Sequence, residues 1–336
     1  MTINTRLTLQ EAHDLARLAL LASGANDRHG AVVAQSIAEA EAQGIRNVGL
    51  AYLPTYCAHL RCGKVDGHAT SRHEIAAPSI LQVDAAHGFA HTAFLSALPE
   101  FVAMVRSQGI ALLTIRRSYS AGVLGWFIHR LLEHELVSLG FANATAMMAP
   151  VGGSKPVFGT NPWAFGVPQA GADAIVADMS STATARVNVI AAASSGGPIP
   201  VGWAIDLHGN PTTDPQAALA GTMAPAAGYK GYALALLVDV LTAGLGGANL
   251  SFEASSLLDD TGGPPGVGQT FIAIDPARCA PGFAQRIALL ARAIAEQEGA
   301  RLPGAGRASH TRHAQIHGVE VPDGLLIELR NLARAG

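Results

Sequence analysis

Thirteen histidines and a few tyrosines are the side chains of this 336-residue chain that could move protons. His310, His313 and His317 fall at i, i+3 and i+7. That spacing would put three imidazoles on one helix face, as a metal site requires. Gly304 and Gly306 precede them and no acid sits among them, so a solvated face is the better reading and no metal is expected. His87 and His91 flank Gly88 at i and i+4. They read either as a polar helix start or as acid/base groups, and His91 stands as a catalytic candidate. Cys57, Cys62 and Cys279 are odd in number and lack C-x-x-C spacing, which fits free thiols in a reducing cytoplasm.

Phosphate-binding signatures are incomplete. Gly304-Ala305-Gly306 begins a G-x-G-x-x-G pattern, but Ser309 takes the third position and no strand leads in. Gly63-Lys64 is followed by Val65, so there is no P-loop. Neither G-x-S-x-G nor H-E-x-x-H occurs.

The elements that must position such groups read as α/β. Thr8 to Glu11 forms a capping box before a helical stripe at Leu15, Leu18, Ala19 and Ala22. Further helices are expected over 28–43, 53–62, 90–107, 125–134, 231–245 and 281–298. Strands are expected over 79–84, 110–115, 136–141, 174–178 and 269–274. The βαβαβ rhythm implies α/β layering. Hydrophobic residues make up 49 % and charged ones 14 %, so the chain is no disordered segment. A net charge of −3 without a basic stripe argues against nucleic acid or an anionic membrane as partner. The longest apolar run, Gly231 to Leu245, is broken by Asp239 and too short to span a bilayer. No apolar leader follows Met1, so a cytoplasmic protein is expected, its low charge pointing to surface hidden in an oligomer.

Longer patterns carry more information. Pro150-Val151-Gly152-Gly153-Ser154-Lys155-Pro156-Val157-Phe158-Gly159-Thr160-Asn161-Pro162 resembles P-x-G-G-x-x-P-x-x-G-T-N-P. Asp178-Met179-Ser180-Ser181 resembles D-M-[AS]-[TS]. Gly202 to Asp206 with Pro211 to Pro215 resembles G-W-A-x-D…P-T-x-D-P. Gly228-Tyr229-Lys230-Gly231-Tyr232 resembles a G-x-K-G-Y/S helix start, and Leu302-Pro303-Gly304 an x-P-G near the end. In this order, over nearly the whole chain, they resemble the type-2 malate/L-lactate dehydrogenase family. These are NAD(P)-dependent oxidoreductases distinct from Rossmann-type lactate dehydrogenases. The family also holds ureidoglycolate, sulfolactate and diketogulonate enzymes and Δ1-piperideine/Δ1-pyrroline-2-carboxylate reductases.

The resemblance implies an α/β, non-Rossmann-fingerprint dinucleotide-binding fold. A mainly helical domain would comprise residues 1–75 and 296–336, and a central α/β domain residues 76–295. It implies a homodimer acting on a small molecule, with the site near the subunit contact. Gly159, Thr160 and Asn161, Asp178, Met179, Ser180, Ser181 and Thr182, Tyr229, Lys230 and Gly231, and Gly304, Ala305 and Gly306 would hold NADPH or NADH. Arg186 and Arg307 are the basic candidates for a 2′-phosphate, which leans toward NADP.

The catalytic motifs depart from the pattern. Where S-H-G-x-x-R-L-P is expected, the chain reads Asn47-Val48-Gly49-Leu50-Ala51-Tyr52-Leu53-Pro54. Where S-x-H-F-G is expected, it reads Ser118-Tyr119-Ser120-Ala121-Gly122. Both histidines are gone, and Tyr52 replaces the arginine that would bind a carboxylate. A positioned acid or base contributes about 10²–10⁴-fold, and valine supplies none. Three readings follow. Hydride goes to C2 of a cyclic ketimine whose iminium already carries the proton, with Asp178 beside it. Alternatively a 2-oxo/2-hydroxy acid is the substrate and another donor, among His87, His91, Tyr52, Tyr56 and Tyr119, has taken over, with Ser120 a further catalytic candidate. Or the chain binds cofactor without turnover. Arg46, Asn47, Val48, Ser118 and Tyr119 are the expected substrate contacts.

Overall fold

The computed structural model describes residues 4–334. The amino-terminal part runs β1 (Asn4–Leu7), α1 (Leu9–Ala22), α2 (Asp27–Ala42), α3 (Leu53–Cys62), β2 (Arg72–Ala77), β3 (Ile80–Asp84), α4 (Ala90–Gln108), β4 (Ile110–Ser118), α5 (Leu124–Leu132) and β5 (Val137–Ala142). The middle runs β6 (Trp163–Val167), β7 (Ile175–Met179), α6 (Arg186–Ser195), β8 (Ala204–Ile205), β9 (Pro211–Thr212), α7 (Pro215–Ala220), β10 (Thr222–Met223) and α8 (Tyr229–Asp239). The last part runs β11 (Val267–Ile274), α9 (Pro276–Cys279), α10 (Phe283–Ala295), α11 (Ala305–His317), β12 (Val319–Pro322) and α12 (Asp323–Arg334).

Local chemistry explains the boundaries. The Thr8 hydroxyl accepts from the Glu11 N–H at 3.1 Å, and the Glu11 carboxylate accepts from the Thr8 N–H at 2.7 Å, so the capping box forms. Helix α3 stops at Gly63, whose φ of +79° no β-carbon obstructs. The expected helix over 231–245 begins earlier, at Tyr229, and loosens into a π-turn over Val240–Gly244.

The main sheet has seven strands in the order β2-β3-β4-β11-β5-β6-β7. Only the β3–β4 pair is parallel, joined by the α4 crossover. The βαβαβ expectation breaks after β4. The late strand β11 inserts antiparallel between β4 and β5, where it is covered on both faces and even Gln269 and Thr270 are buried. Strand β6 follows Pro162 and contains Gly166, and this hid it in the sequence.

Three apolar cores support this frame. Phe94, Phe101, Trp126, Phe127 and Phe271 fill the first, between α4, α5 and the sheet. Helices α1 to α3 and α12, with the β1–β12 ribbon, enclose the second, which also takes in Phe89 and Tyr119. A smaller core, including Met148, Phe158, Val189 and Met223, lies around β8 to β10. No helix among the described residues is long and apolar enough to cross a membrane.

His91 corrects one expectation. It is 0 % exposed, stacked on Phe127 and edge-on to Trp126, each ring centroid 5.0 Å away. Neither ring nitrogen has a hydrogen-bond partner. Burial, helped by Arg130, pushes its pKa down to about 3. It is a neutral core ring rather than an acid/base group. In the unfolded chain it takes up a proton below about pH 6.5. Its contribution to stability is therefore present above that pH and is lost as pH falls toward 3. Between pH 7 and 5 the His91→Phe variant should lose about 2 kcal/mol less unfolding free energy than the wild type. Urea titrations at both pH values measure this, and equal losses would refute it.

Candidate active site

Two short 3-10 turns, Arg46–Val48 and Leu50–Tyr52, join α2 to α3. Glu41 sets their path, because its carboxylate accepts from the Leu50 N–H at 2.7 Å. A β-carbon on Gly49 would overlap that carboxylate, so glycine is needed there. Burial raises the Glu41 pKa. Val48 is half-buried and packs on the core to which Ala121, Val123 and Leu124 belong. Arg46 and Asn47 are exposed at the rim.

The loop leaving β4 runs alongside these turns. Ser118 is buried and donates to the Val267 carbonyl at 2.9 Å and to Gln269 Oε1 at 2.8 Å. Its hydroxyl serves the sheet, which corrects its expected substrate contact. Ser120 is half-buried and accepts from the Gly122 N–H at 3.2 Å. A β-carbon on Gly122 would come within 3.1 Å of the Tyr56 hydroxyl, so that hydroxyl points at the loop. At the loop's far end the Gly125 N–H donates to Asp178 Oδ2 at 2.9 Å. Arg307 reaches the same residue, donating to its carbonyl at 3.2 Å and approaching its carboxylate at 3.6 Å. Burial raises the Asp178 pKa, against the Gly125 N–H and Arg307, which lower it. A cleft of about 830 Å³ borders this junction, with Gly125, Val176, Gly304 and Arg307 in its wall.

On the other side of the loop lies an aromatic cluster. Tyr52 and Tyr56 meet edge-on at 4.9 Å, and Tyr56, Phe89 and Tyr119 pack together at under 6 Å. Tyr119 is fully buried, Tyr52 half-buried. The Tyr119 hydroxyl meets His59 Nδ1 at 2.5 Å. His59 was not expected from the motifs. Its signal was spacing, since Tyr52, Tyr56 and His59 stand at i, i+4 and i+7.

The separate glycine-bearing stretches converge. The Ser181 N–H donates to the Thr160 carbonyl at 2.8 Å, and the Ser180 hydroxyl to the same carbonyl at 3.1 Å. The Ala226 N–H donates to the Ser181 carbonyl at 2.9 Å. β-Carbons on Gly159 and Gly231 would overlap main chain of Ala144 and of Ala226 and Ser181 respectively. Gly304, with φ +84°, lies against Val176, beside Asp178. Asn161 is buried, its amide donating to the Ala235 carbonyl at 2.9 Å, so it braces the cradle from within. Thr182 is also buried, bonded to Ser180 and to the Thr184 carbonyl. Met179, Tyr229, Lys230, Ala305 and Gly306 are exposed. Helix α8 is preceded by Gly228 with no side-chain cap; the Gly231 N–H donates to the Ala226 carbonyl at 2.8 Å, and the Tyr229 and Lys230 N–H groups have no partner among the described residues. That arrangement suits a pyrophosphate. A second cavity of about 430 Å³ opens there, walled by Gly152, Gly153, Gly202, Gly209 and Gly228 among others. The residues thus fit a dinucleotide. Arg186 is engaged elsewhere, donating to the Leu219 carbonyl at 3.1 Å.

Residues 7–330 match the family model described as malate/L-lactate dehydrogenase. The chain is 42 % identical to a (2R)-3-sulfolactate dehydrogenase (NADP(+)) from Chromohalobacter salexigens, over 97 % of its own length and 98 % of that protein's. It is 38 % identical to a Δ1-pyrroline-2-carboxylate reductase from Ancylobacter novellus, covering 98 % of each chain. A crystal structure of Δ1-piperideine-2-carboxylate reductase from Pseudomonas syringae superposes with a TM-score of 0.92 at 35 % identity, covering 98 % of this chain and 99 % of the other. The chain belongs to the malate/L-lactate dehydrogenase family and is an NAD(P)-dependent oxidoreductase.

Gly231→Ala should lower NADPH affinity at least about tenfold, because backbone atoms cannot move aside for the methyl group. Lys230→Met should cost about 1 kcal/mol and flatten the salt dependence of binding. Fluorescence titration at low and high salt measures both. Unchanged affinity in both variants would remove these residues from the cofactor site.

Proposed function

We propose that this member of the malate/L-lactate dehydrogenase family reduces a cyclic ketimine carboxylate, of the Δ1-pyrroline- or Δ1-piperideine-2-carboxylate type, to the cyclic imino acid. The observation that carries this reading is Val48. At the family's acid position stands a half-buried side chain packed on apolar core, with no proton to give. An iminium brings its own proton, so C2 can accept hydride without an added donor. The reduced nicotinamide supplies that hydride. Asp178, held by the Gly125 N–H and Arg307, places negative charge near the developing site. In this reading Ser120 and Tyr52, both half-buried, and Arg46 and Asn47, both exposed, are the groups that meet the substrate. The identities to ketimine reductases support the reading.

In this reading the stretches around Gly159, Ser180, Lys230 and Gly304 hold the cofactor. NADPH is preferred over NADH, which the name of the sulfolactate relative supports. A cytoplasmic homodimer accords with the low charge and with the exposed Leu236, Leu237, Val240 and Leu245 along α8 and the turn after it.

That sulfolactate relative also supports a second reading, a 2-oxo/2-hydroxy acid substrate served by a relocated donor. In that reading Tyr52, half-buried and edge-on to Tyr56, is the donor. Purified protein with NADPH should oxidise the cofactor with Δ1-pyrroline-2-carboxylate at least about tenfold faster than with pyruvate, oxaloacetate or 3-sulfopyruvate. Oxidation with the oxo acids alone would overturn the ketimine reading, and NADPH binding without any turnover would overturn both. Val48→His should raise the oxo-acid rate relative to the ketimine rate by about ten- to a hundredfold. An unchanged ratio would show that Val48 does not face the reacting atoms.

A further inference from the structure

Asp239 breaks the apolar run of α8 and is the last residue of that helix. It is 4 % exposed, and its hydrogen-bond partners are all neutral. Its Oδ1 accepts from Asn143 Nδ2 at 3.0 Å and from the Ser251 N–H at 3.3 Å. The Ser251 hydroxyl oxygen stands 3.0 Å from the same Oδ1 and 3.1 Å from Asn161 Oδ1. Its single hydrogen serves one of the two at a time, so Ser251 is wedged between both groups. Asn143, Ser251 and Asn161 are buried as well. Burial raises the Asp239 pKa, and the bonds from Asn143 and Ser251 lower it. A buried carboxyl group with no cation beside it is costly, and an apolar side chain would suit the rest of this helix better. What the acid adds is a fixed point.

The stretches that the fold brings together are tied to that point. The Asn161 amide donates to the Ala235 carbonyl of α8 at 2.9 Å, and the Asn161 carbonyl accepts from the Ser181 hydroxyl at 2.7 Å. Asn161 has a φ of +39°, a left-handed backbone that is strained for a residue with a β-carbon and must be held by its surroundings. Asn143 is fixed from the sheet side. Its Oδ1 accepts from the Gly268 N–H of β11 at 2.8 Å, and its amide also donates to the Asn249 carbonyl at 2.8 Å. The sheet thus holds Asn143, Asn143 and Ser251 hold Asp239, and Asp239 and Asn161 together hold α8. Gly231 lies about 12 Å earlier along the helix axis. A slide or tilt at the Asp239 end therefore moves the first turn of α8, with Lys230, against Gly159 and Ser181.

We infer that Asp239 is a positioning residue for the dinucleotide. Through Asn143, Ser251 and Asn161 it sets the first turn of α8 against the Gly159–Asn161 and Ser180–Thr182 stretches, so that one rigid cradle meets the pyrophosphate. This rests on the reading that these stretches hold the cofactor. Asp239 is buried behind the cradle, so it acts on cofactor affinity and not on the reacting atoms.

The test compares wild type, Asp239→Ala, Asp239→Asn and Ser251→Ala. NADPH affinity is read by fluorescence titration, kcat and KM for NADPH with Δ1-pyrroline-2-carboxylate, and folding by urea titration. Asp239→Ala should raise Kd and KM for NADPH about tenfold, with kcat at saturating cofactor within about threefold of wild type. Asp239→Asn keeps the Oδ1 acceptor and should bring both constants back to within about threefold. A residue that only held the fold together would lower the urea midpoint without moving KM for NADPH. Ser251→Ala removes one hydroxyl and keeps the N–H, so it carries the test if Asp239→Ala does not fold, with an expected rise in Kd of about threefold or more. A folded Asp239→Ala with wild-type NADPH affinity, an unchanged Kd in Ser251→Ala, or an Asp239→Asn as weak as Asp239→Ala would each overturn the inference. The titration needs no turnover, so failure of the ketimine reading leaves it standing. Wild-type protein that does not bind NADPH would instead overturn the cofactor reading on which the inference rests.

Discussion

The Asp178 carboxylate is the point at which separate parts of the chain are held in register. It ends β7, caps the approach to α5 through the Gly125 N–H, and draws in Arg307 from α11. Those residues are far apart in sequence. A carboxylate this deeply set is costly unless paired, and burial does raise its pKa. The pairing with one amide and one guanidinium offsets part of that cost beside the 830 Å³ cleft. Removing either partner leaves an acid in a largely apolar setting, and both the fold junction and the site electrostatics would change with it.

From this junction the candidate site extends along one loop. Residues 118–125 lead from β4 past the tyrosine cluster to Asp178. The two ends of the loop are chemically different. One is the Asp178–Arg307 pair near a cleft, and the other is a tyrosine cluster in which Tyr119 meets His59. Where relatives are expected to place a histidine between them, this chain has Val48 packed on the core. The reaction's proton must then come with the substrate or from a donor elsewhere in the site. Both routes leave hydride delivery to C2 untouched, and this is how a site without its usual acid remains consistent with an oxidoreductase.

Much of this was legible in the sequence, for local reasons. Helix α3 was bounded by Pro54 near its start and Gly63 at its end, and the Thr8–Glu11 box announced α1. The family motifs marked the stretches that the fold brings together at Thr160, Ser181 and Ala226. What could not be read was non-local. Nothing near β11 in sequence shows that it inserts between β4 and β5. Nothing near His91 shows that Trp126 and Phe127 will enclose it. Ser118 and Asn161 are polar residues in motif positions, but their partners come from distant strands and helices. His59 was overlooked because its tyrosine partner lies 60 residues away.

The central claim is that hydride reaches C2 of a cyclic ketimine without a side-chain acid at position 48. Tracing deuterium from C4-labelled NADPH into product tests it most directly. With Δ1-pyrroline-2-carboxylate the account predicts one deuterium at C2 of the cyclic imino acid formed, in a single configuration. Label appearing only at C2 of a 2-hydroxy acid when oxo acids are supplied, with none in the cyclic product, would contradict it.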